Sequence, residues 1–188
     1  CAVRTGPAAT EKLDVAQPAK LIAVVDSVET DLNDPILGER YTASSVDRTL
    51  VKYRLRDANI FRKVVDRKPA HGDYVQLRFR FERTTEFDQG SIVGGALFIV
   101  FTLGLATPLL NFEKELSKVG RLDAIRSDGK TFSSVREVNG HAEFKLFGEL
   151  AANAEFAKAD DRLLSLLLSD LAASPLVLEH SDDRRSLP

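Results

Sequence analysis

From Gln89 to Phe112 the chain carries no charged residue, and the middle of that stretch reads Ser91-Ile-Val-Gly-Gly-Ala-Leu-Phe-Ile-Val-Phe-Thr-Leu-Gly-Leu-Ala-Thr-Pro-Leu-Leu110. An uncharged apolar run of about 18 residues or more is the usual signature of a membrane-spanning helix. The flanks do not fit that picture, because on both sides they are polar and read as strands of a water-soluble domain. A single spanning helix, roughly 30 Å long, would put those strands on opposite sides of a bilayer. A purely buried core segment would be shorter and more patterned. The reading that satisfies both flanks is an excursion over residues 90–111 that leaves and returns on the same side, as a helical hairpin or re-entrant loop. Gly94, Gly95 and Gly104 provide bends and Pro108 the exit. Ile92, Val93, Leu97, Phe98, Ile99, Val100, Phe101, Leu103 and Leu105 are then the apolar contact, made with lipid or with other copies of the chain. Small residues such as Gly94, Gly95 and Ala96 allow close helix approach.

The flanks set the fold class. Leu21-Ile-Ala-Val-Val25 reads as a first, internal strand, and 26–40 as polar connection with a turn at Asn33-Asp-Pro35. A helix follows, capped by Ser44 or Ser45 and closed by Asp57-Ala-Asn59, with Val46, Leu50, Val51, Tyr53 and Leu55 as its apolar side. Arg48, Lys52, Arg54 and Arg56 face water. Residues 60–65 form a second strand. Val75, Leu77, Phe79 and Phe81 alternate with Gln76, Arg78, Arg80 and Glu82, the pattern of a half-buried strand.

Beyond the apolar stretch, 115–126 and 130–139 flank the hairpin signal Ser127-Asp-Gly129, with Gly120 expected at a bulge. Residues 142–156 suit a strand end or a short helix equally. Leu163, Leu164, Leu167, Leu168 and Leu171 mark one face of a last helix, capped by Asp160 and stopped by Ser174-Pro175. The sum is an α+β domain over 21–178. It has a mixed sheet of about four to five strands with helices on one face, a tether over 1–20 and a disordered tail over 179–188.

Charge selects no partner, since 26 basic and 28 acidic residues leave a formal net charge of -2. A nucleic-acid binder would show a basic stripe with aromatic platforms, and none is present. The local basic cluster Arg54, Arg56, Arg62, Lys63, Arg67 and Lys68 reads as a solvated face, with anionic headgroups or an acidic polymer as the functional alternative. No catalytic constellation is seen, and no cofactor or metal is expected. His71, His141 and His180 lack neighbours at metal-ligand spacing, and His71 beside Asp73 reads as a solvated turn pair. Ser133-Ser134 has no adjacent base, and Asp160-Asp161 is explained by helix capping. The glycines of 90–95 lack the Lys-Ser/Thr ending of a phosphate loop.

The segment Asp47-Arg-Thr-Leu-Val-Lys-Tyr-Arg-Leu-Arg-Asp-Ala-Asn-Ile-Phe-Arg-Lys-Val-Val65, followed by Ala70-His-Gly-Asp-Tyr-Val-Gln-Leu-Arg-Phe79, resembles a recurrent envelope pattern. In it a helix ends in a short residue, Phe and a hydrophobic pair, and Asp-Tyr opens the next strand. It is similar to the family of periplasmic lipoprotein domains related to the TolB amino-terminal domain, a plan shared by curli-secretion and Pel-export lipoproteins. The phrase Thr102-Leu-Gly-Leu-Ala-Thr-Pro108 resembles that of small bacterial lipoproteins with an apolar hairpin.

Cys1 is the only cysteine. It looks like the acylated first residue of such a lipoprotein, the alternative being an arbitrary boundary. Ala2 beside it implies the outer membrane by resemblance to lipoprotein sorting. The expectation is a non-enzymatic outer-membrane lipoprotein on the periplasmic face, carrying acyl groups such as palmitate on Cys1. It would act as a scaffold or assembly part of an envelope complex, with membrane lipid, further copies of itself or envelope proteins as partners. The alternative is a periplasmic binding module for a lipid or other apolar ligand.

Overall fold

Alternating apolar residues build the sheet, and a leucine-rich helix closes it. The computed structural model describes residues 18–33, 46–87, 111–145 and 149–181. In chain order these hold β1 (Ala19–Asn33), α1 (Arg48–Asp57), β2 (Phe61–Val65), β3 (Tyr74–Phe87), β4 (Asn111–Arg126), β5 (Thr131–Lys145), α2 (Glu149–Ala172) and α3 (Pro175–Ser181). The strands form one 5-stranded sheet in the order β2-β1-β3-β4-β5. β1 runs parallel to both β2 and β3, and β3, β4 and β5 form an antiparallel meander. The expected mixed sheet with helices on one face is the observed fold.

β3 follows its alternation. Val75, Leu77, Phe79 and Phe81 are buried under the helices, while Arg78, Arg80 and Glu82 are exposed on the other face. β1 does not end at Val25 but continues to Asn33 through a bulge, since Val25 pairs with Leu77 but Ser27 already pairs with Arg78. The extra residue shifts the phase, so that Val25 and then Val28 face the same core. A bulge frees backbone groups that the ladder no longer pairs. Arg48 of α1 provides for them, donating from its guanidinium to the carbonyls of Val25 and Asp26. The polar look of 26–33 therefore belongs to a strand whose outward side chains are acidic.

α1 is capped by Asp47, whose side chain accepts from the Leu50 amide at 2.7 Å, so it starts past the two serines. Asn59, at φ 52°, takes the left-handed conformation that ends it. Val51 and Leu55 enter the core, but Tyr53 is 61 % exposed and does not belong to the apolar side. Arg54, expected in water, is half-buried and pairs with Asp161 of α2.

The link 66–73 must cross β1 to join β2 to β3. A right-handed crossover, the rule for parallel strands, would take it over the face opposite α1. Val24, which points to that face, is 3 % exposed.

α2 lies across β4 and β5 and touches α1, while α3 reaches β1. Leu163, Leu164, Leu167, Leu168 and Leu171 are all buried, as their spacing requires. The helix begins at Glu149, so Asp160 is an interior residue of α2 and not its cap. Buried Asp160 instead forms an ion pair with buried Lys118 of β4. Within the ambiguous stretch 142–156, residues up to Lys145 end β5 and residues from Glu149 begin α2.

Gly120 is not at a bulge, for the register runs unbroken from Phe81↔Gly120 to Gly120↔Arg136. A side chain there would meet Leu163 and Leu167 at 3.0–3.1 Å, so glycine permits the close approach of α2. Pro175 both stops α2 and opens α3, which runs to Ser181 and so takes in Glu179 from the stretch read as tail.

Candidate functional site

The apolar stretch 90–111 falls outside the described residues, apart from Asn111, whose backbone opens β4. So do Cys1, every predicted contact residue from Ile92 to Leu105, and the bends Gly94, Gly95, Gly104 and Pro108. What the fold does fix is where the stretch is attached. β3 and β4 are antiparallel neighbours with Phe87 opposite Lys114, so the chain departs from and rejoins the sheet at one end. β1 is parallel to β3, with Ile22 opposite Tyr74 and Asn33 opposite Thr84. The residues preceding Ala19 therefore meet the sheet at its other end. The 14 residues of β3 separate the two ends by about 45 Å at roughly 3.3 Å per residue.

The helix-free face between these ends is strongly charged and largely self-paired. Arg78 donates to Asp26 at 2.8 Å, and Arg80 bridges Asp31 at 2.9 Å and Glu82 at 3.3 Å. Ser133 donates to Asp123 at 2.6 Å and Ser117 to Glu137 at 3.2 Å. Asp31 beside Arg80 raises the guanidinium above its ordinary range. Exposed pairs of this kind contribute little stability each but leave few charges uncommitted.

The basic cluster separates in three dimensions. Arg54 is committed to Asp161, and Arg56 lies near the Val64 carbonyl at 3.5 Å. Arg62, Lys63, Arg67 and Lys68 are exposed along the β2 edge and the link after it. Cations on a short outer strand deter pairing with other strands. His71 is exposed in that link, and the Asp73 backbone carbonyl accepts from the Ile22 amide at 3.1 Å. Ser134 donates to Asp170, which also binds Arg136 through two bonds at 2.6 and 2.7 Å. No group of three or more His, Cys, Asp or Glu side chains suited to a metal occurs among the described residues. No described helix is long and apolar enough to cross a membrane.

One network was not visible in the sequence. Arg126, on the helix-facing side of β4, reaches Asp128 in the hairpin turn and Glu179 of α3 at 3.1 Å, while Lys130 reaches Glu179 at 2.7 Å. Arg126 holds the Asp128 carboxyl well below the usual range, and Lys130, then Arg126, lowers that of Glu179. A depressed carboxylate adds stability above its unfolded pKa, here 4.5 for Glu179, which is lost as pH falls through the lower folded value. Glu179→Gln is therefore expected to be less stable than the parent at neutral pH. The difference should shrink as pH falls below 4.5 and through the lower folded value, as the parent carboxyl protonates. Urea midpoints across pH measure this, and a difference constant with pH would dissociate α3 docking from the charge.

No family model and no curated protein sequence matches the chain. Several solved structures overlay on it, among them the following two. One is the rare lipoprotein B of Shewanella oneidensis, at 19% identity and a TM-score of 0.41, covering 82% of this chain and 100% of that one. The other, from Helicobacter pylori, is described as a neuraminyllactose-binding hemagglutinin homolog, at 9% identity and a TM-score of 0.48, covering 89% and 90%.

Proposed function

We propose that this chain is a non-enzymatic scaffold of the bacterial envelope, held by an acyl group on Cys1, that makes a second, apolar contact through residues 90–111. The observation that carries the reading is the pairing of Phe87 with Lys114. It supports reading the charge-free stretch as a same-side excursion, attached at one end of a sheet whose other end receives the chain from residues 1–18. The envelope location rests on the resemblance of 47–65 and 70–79 to periplasmic lipoprotein domains. Eighteen residues extend at most about 60 Å, enough to run back along a sheet of about 45 Å. Both attachments can thus engage one membrane, and two modest anchors joined by a linker hold far better than either alone. With the tether extended the other way, the apolar end meets a partner away from that membrane.

The same pairing makes the test clean. A variant that extends the β3–β4 ladder by three pairs would set 90 opposite 111, with an Asn-Gly turn in place of the residues between them. This variant is expected to keep its cooperative unfolding and to lose binding to phospholipid vesicles when Cys1 is also replaced by serine. Vesicle flotation reads the binding. Equal flotation of the two Cys1→Ser proteins, with and without 90–111, would exclude a membrane contact by the stretch.

A further inference from the structure

We infer that β5 is a homodimerisation edge, on which a second copy of this chain adds its own β5 antiparallel, with the two-fold axis at Val135. β5 is the last strand of the sheet, 15 residues long, and paired to β4 without a break from Ile125↔Thr131 to Asn111↔Lys145. Natural edges of that length are usually blunted by proline, a bulge, lysines or brevity. β2, at the other edge, has five residues with Arg62 and Lys63 exposed. β5 has no proline and no bulge, and Val135 in its first half is 54 % exposed.

The hairpin fixes which groups β5 offers. The Arg126 amide donates to the Lys130 carbonyl at 2.9 Å, and pairs alternate from there between bonded and non-bonded. Phe132, Ser134 and Arg136 therefore bond to β4, while Thr131, Ser133, Val135, Glu137 and Asn139 direct their N–H and C=O groups to the open edge. All five are exposed, and they share the helix-free face.

The side chains select the register. An antiparallel two-fold pair in one continuous sheet places each residue opposite one on the same face. With the axis at Val135, the exposed valine meets its own copy. Ser133 then faces Glu137, Thr131 faces Asn139, Ser134 faces Arg136, and Phe132 faces Val138. No like charges oppose one another. Moving the axis to Arg136 sets arginine against arginine, and moving it to Glu137 sets glutamate against glutamate, both unfavourable. An axis at Ser134 leaves Arg136 opposite Phe132.

The pairing does not involve 90–111, so its success or failure is independent of the scaffold proposal. The test uses the full chain with Cys1→Ser and one new cysteine. In the two-fold register Val135→Cys places two Cα atoms about 5.5 Å apart, within disulfide reach, whereas Ser133→Cys places them about 13 Å apart. Mild oxidation is expected to cross-link Val135→Cys quickly and Ser133→Cys hardly at all, with the same outcome when 90–111 is replaced by the turn. Sedimentation equilibrium of the parent at about 100 µM is expected to show a dimer, and Val135→Lys is expected to weaken it by roughly tenfold or more. A parent that stays monomeric at that concentration overturns the inference. So does equal cross-linking at 133 and 135, which would indicate random collision or another register.

Discussion

Replacing Lys118 by alanine is expected to destabilise the domain by about 3–5 kcal/mol, enough to unfold much of the population of a marginally stable protein. Lys118 is 2 % exposed on the helix side of β4, and its partner Asp160 is 7 % exposed in the middle of α2. Both charges have left water, and each is tolerated because the other is beside it. Removing the ammonium leaves a carboxylate in an apolar site, and that desolvation, not the loss of an attraction, is the larger cost. The companion experiment separates the two. Replacing both residues together, Lys118→Met with Asp160→Leu, removes the stranded charge along with the pair and is expected to be within about 1–2 kcal/mol of the parent, on either side. Denaturant midpoints with unchanged slopes would measure the set. A single Lys118→Ala that costs less than about 1 kcal/mol would mean that the site is wet and the pair is a surface one.

That ion pair also shows what a sequence can and cannot disclose here. Periodicity reports which face of an element is apolar, and so β3 and the leucine face of α2 were legible residue by residue. It does not report where a charged residue is matched from another element. Asp160-Asp161 at the head of a leucine stripe is what a helix cap looks like. Only the approach of β4 and α1, which bring Lys118 and Arg54 from far away in sequence, turns these two residues into paired ones. The bulge in β1 hid that strand's second half in the same way. A single inserted residue changes the phase of the alternation, and Asp26, Glu29 and Asp31 then read as loop although Asp26 and Asp31 are answered across the sheet by Arg78 and Arg80. Tyr53 failed for a different reason, since a tyrosine carries enough polarity to stay in water at the margin of an amphipathic helix.

For the apolar stretch, composition alone pointed to a spanning helix, and the order of strands around it argued for a same-side excursion. The Phe87–Lys114 pairing gives that order as a register between β3 and β4. The candidate edge at Val135 was not legible, because the sequence does not say which strand is last in the sheet.

Gly120→Val is expected to destabilise the domain by about 1–3 kcal/mol even though valine is the better strand residue. The reason is the distance from a side chain at 120 to α2. A Cβ there stands 3.0 Å from Leu167 Cδ1 and 3.1 Å from Leu163 Cδ2, closer than carbon atoms rest. Leu167, fully buried, costs about 2–5 kcal/mol when cut to alanine, by lost burial and the cavity left behind. The two changes are geometrically opposite: one adds volume at the contact and the other removes it. Gly120→Val with Leu167→Ala should therefore be more stable than the sum of the two losses predicts, with a coupling of about 0.5–3 kcal/mol, as expected for residues sharing one space. Gly120→Ala separates this from backbone effects. Its methyl meets Leu167 Cδ1 and both Cδ2 and Cγ of Leu163, all side-chain atoms, which need yield a few tenths of an ångström. The lower entropy of the unfolded alanine chain offsets that strain, so the change should be near neutral. Had Gly120 been a bulge glycine in the left-handed region, alanine would be penalised as clearly as valine, and no truncation at Leu167 would recover it. Additive losses in the double variant would show that α2 does not rest on β4 at this position.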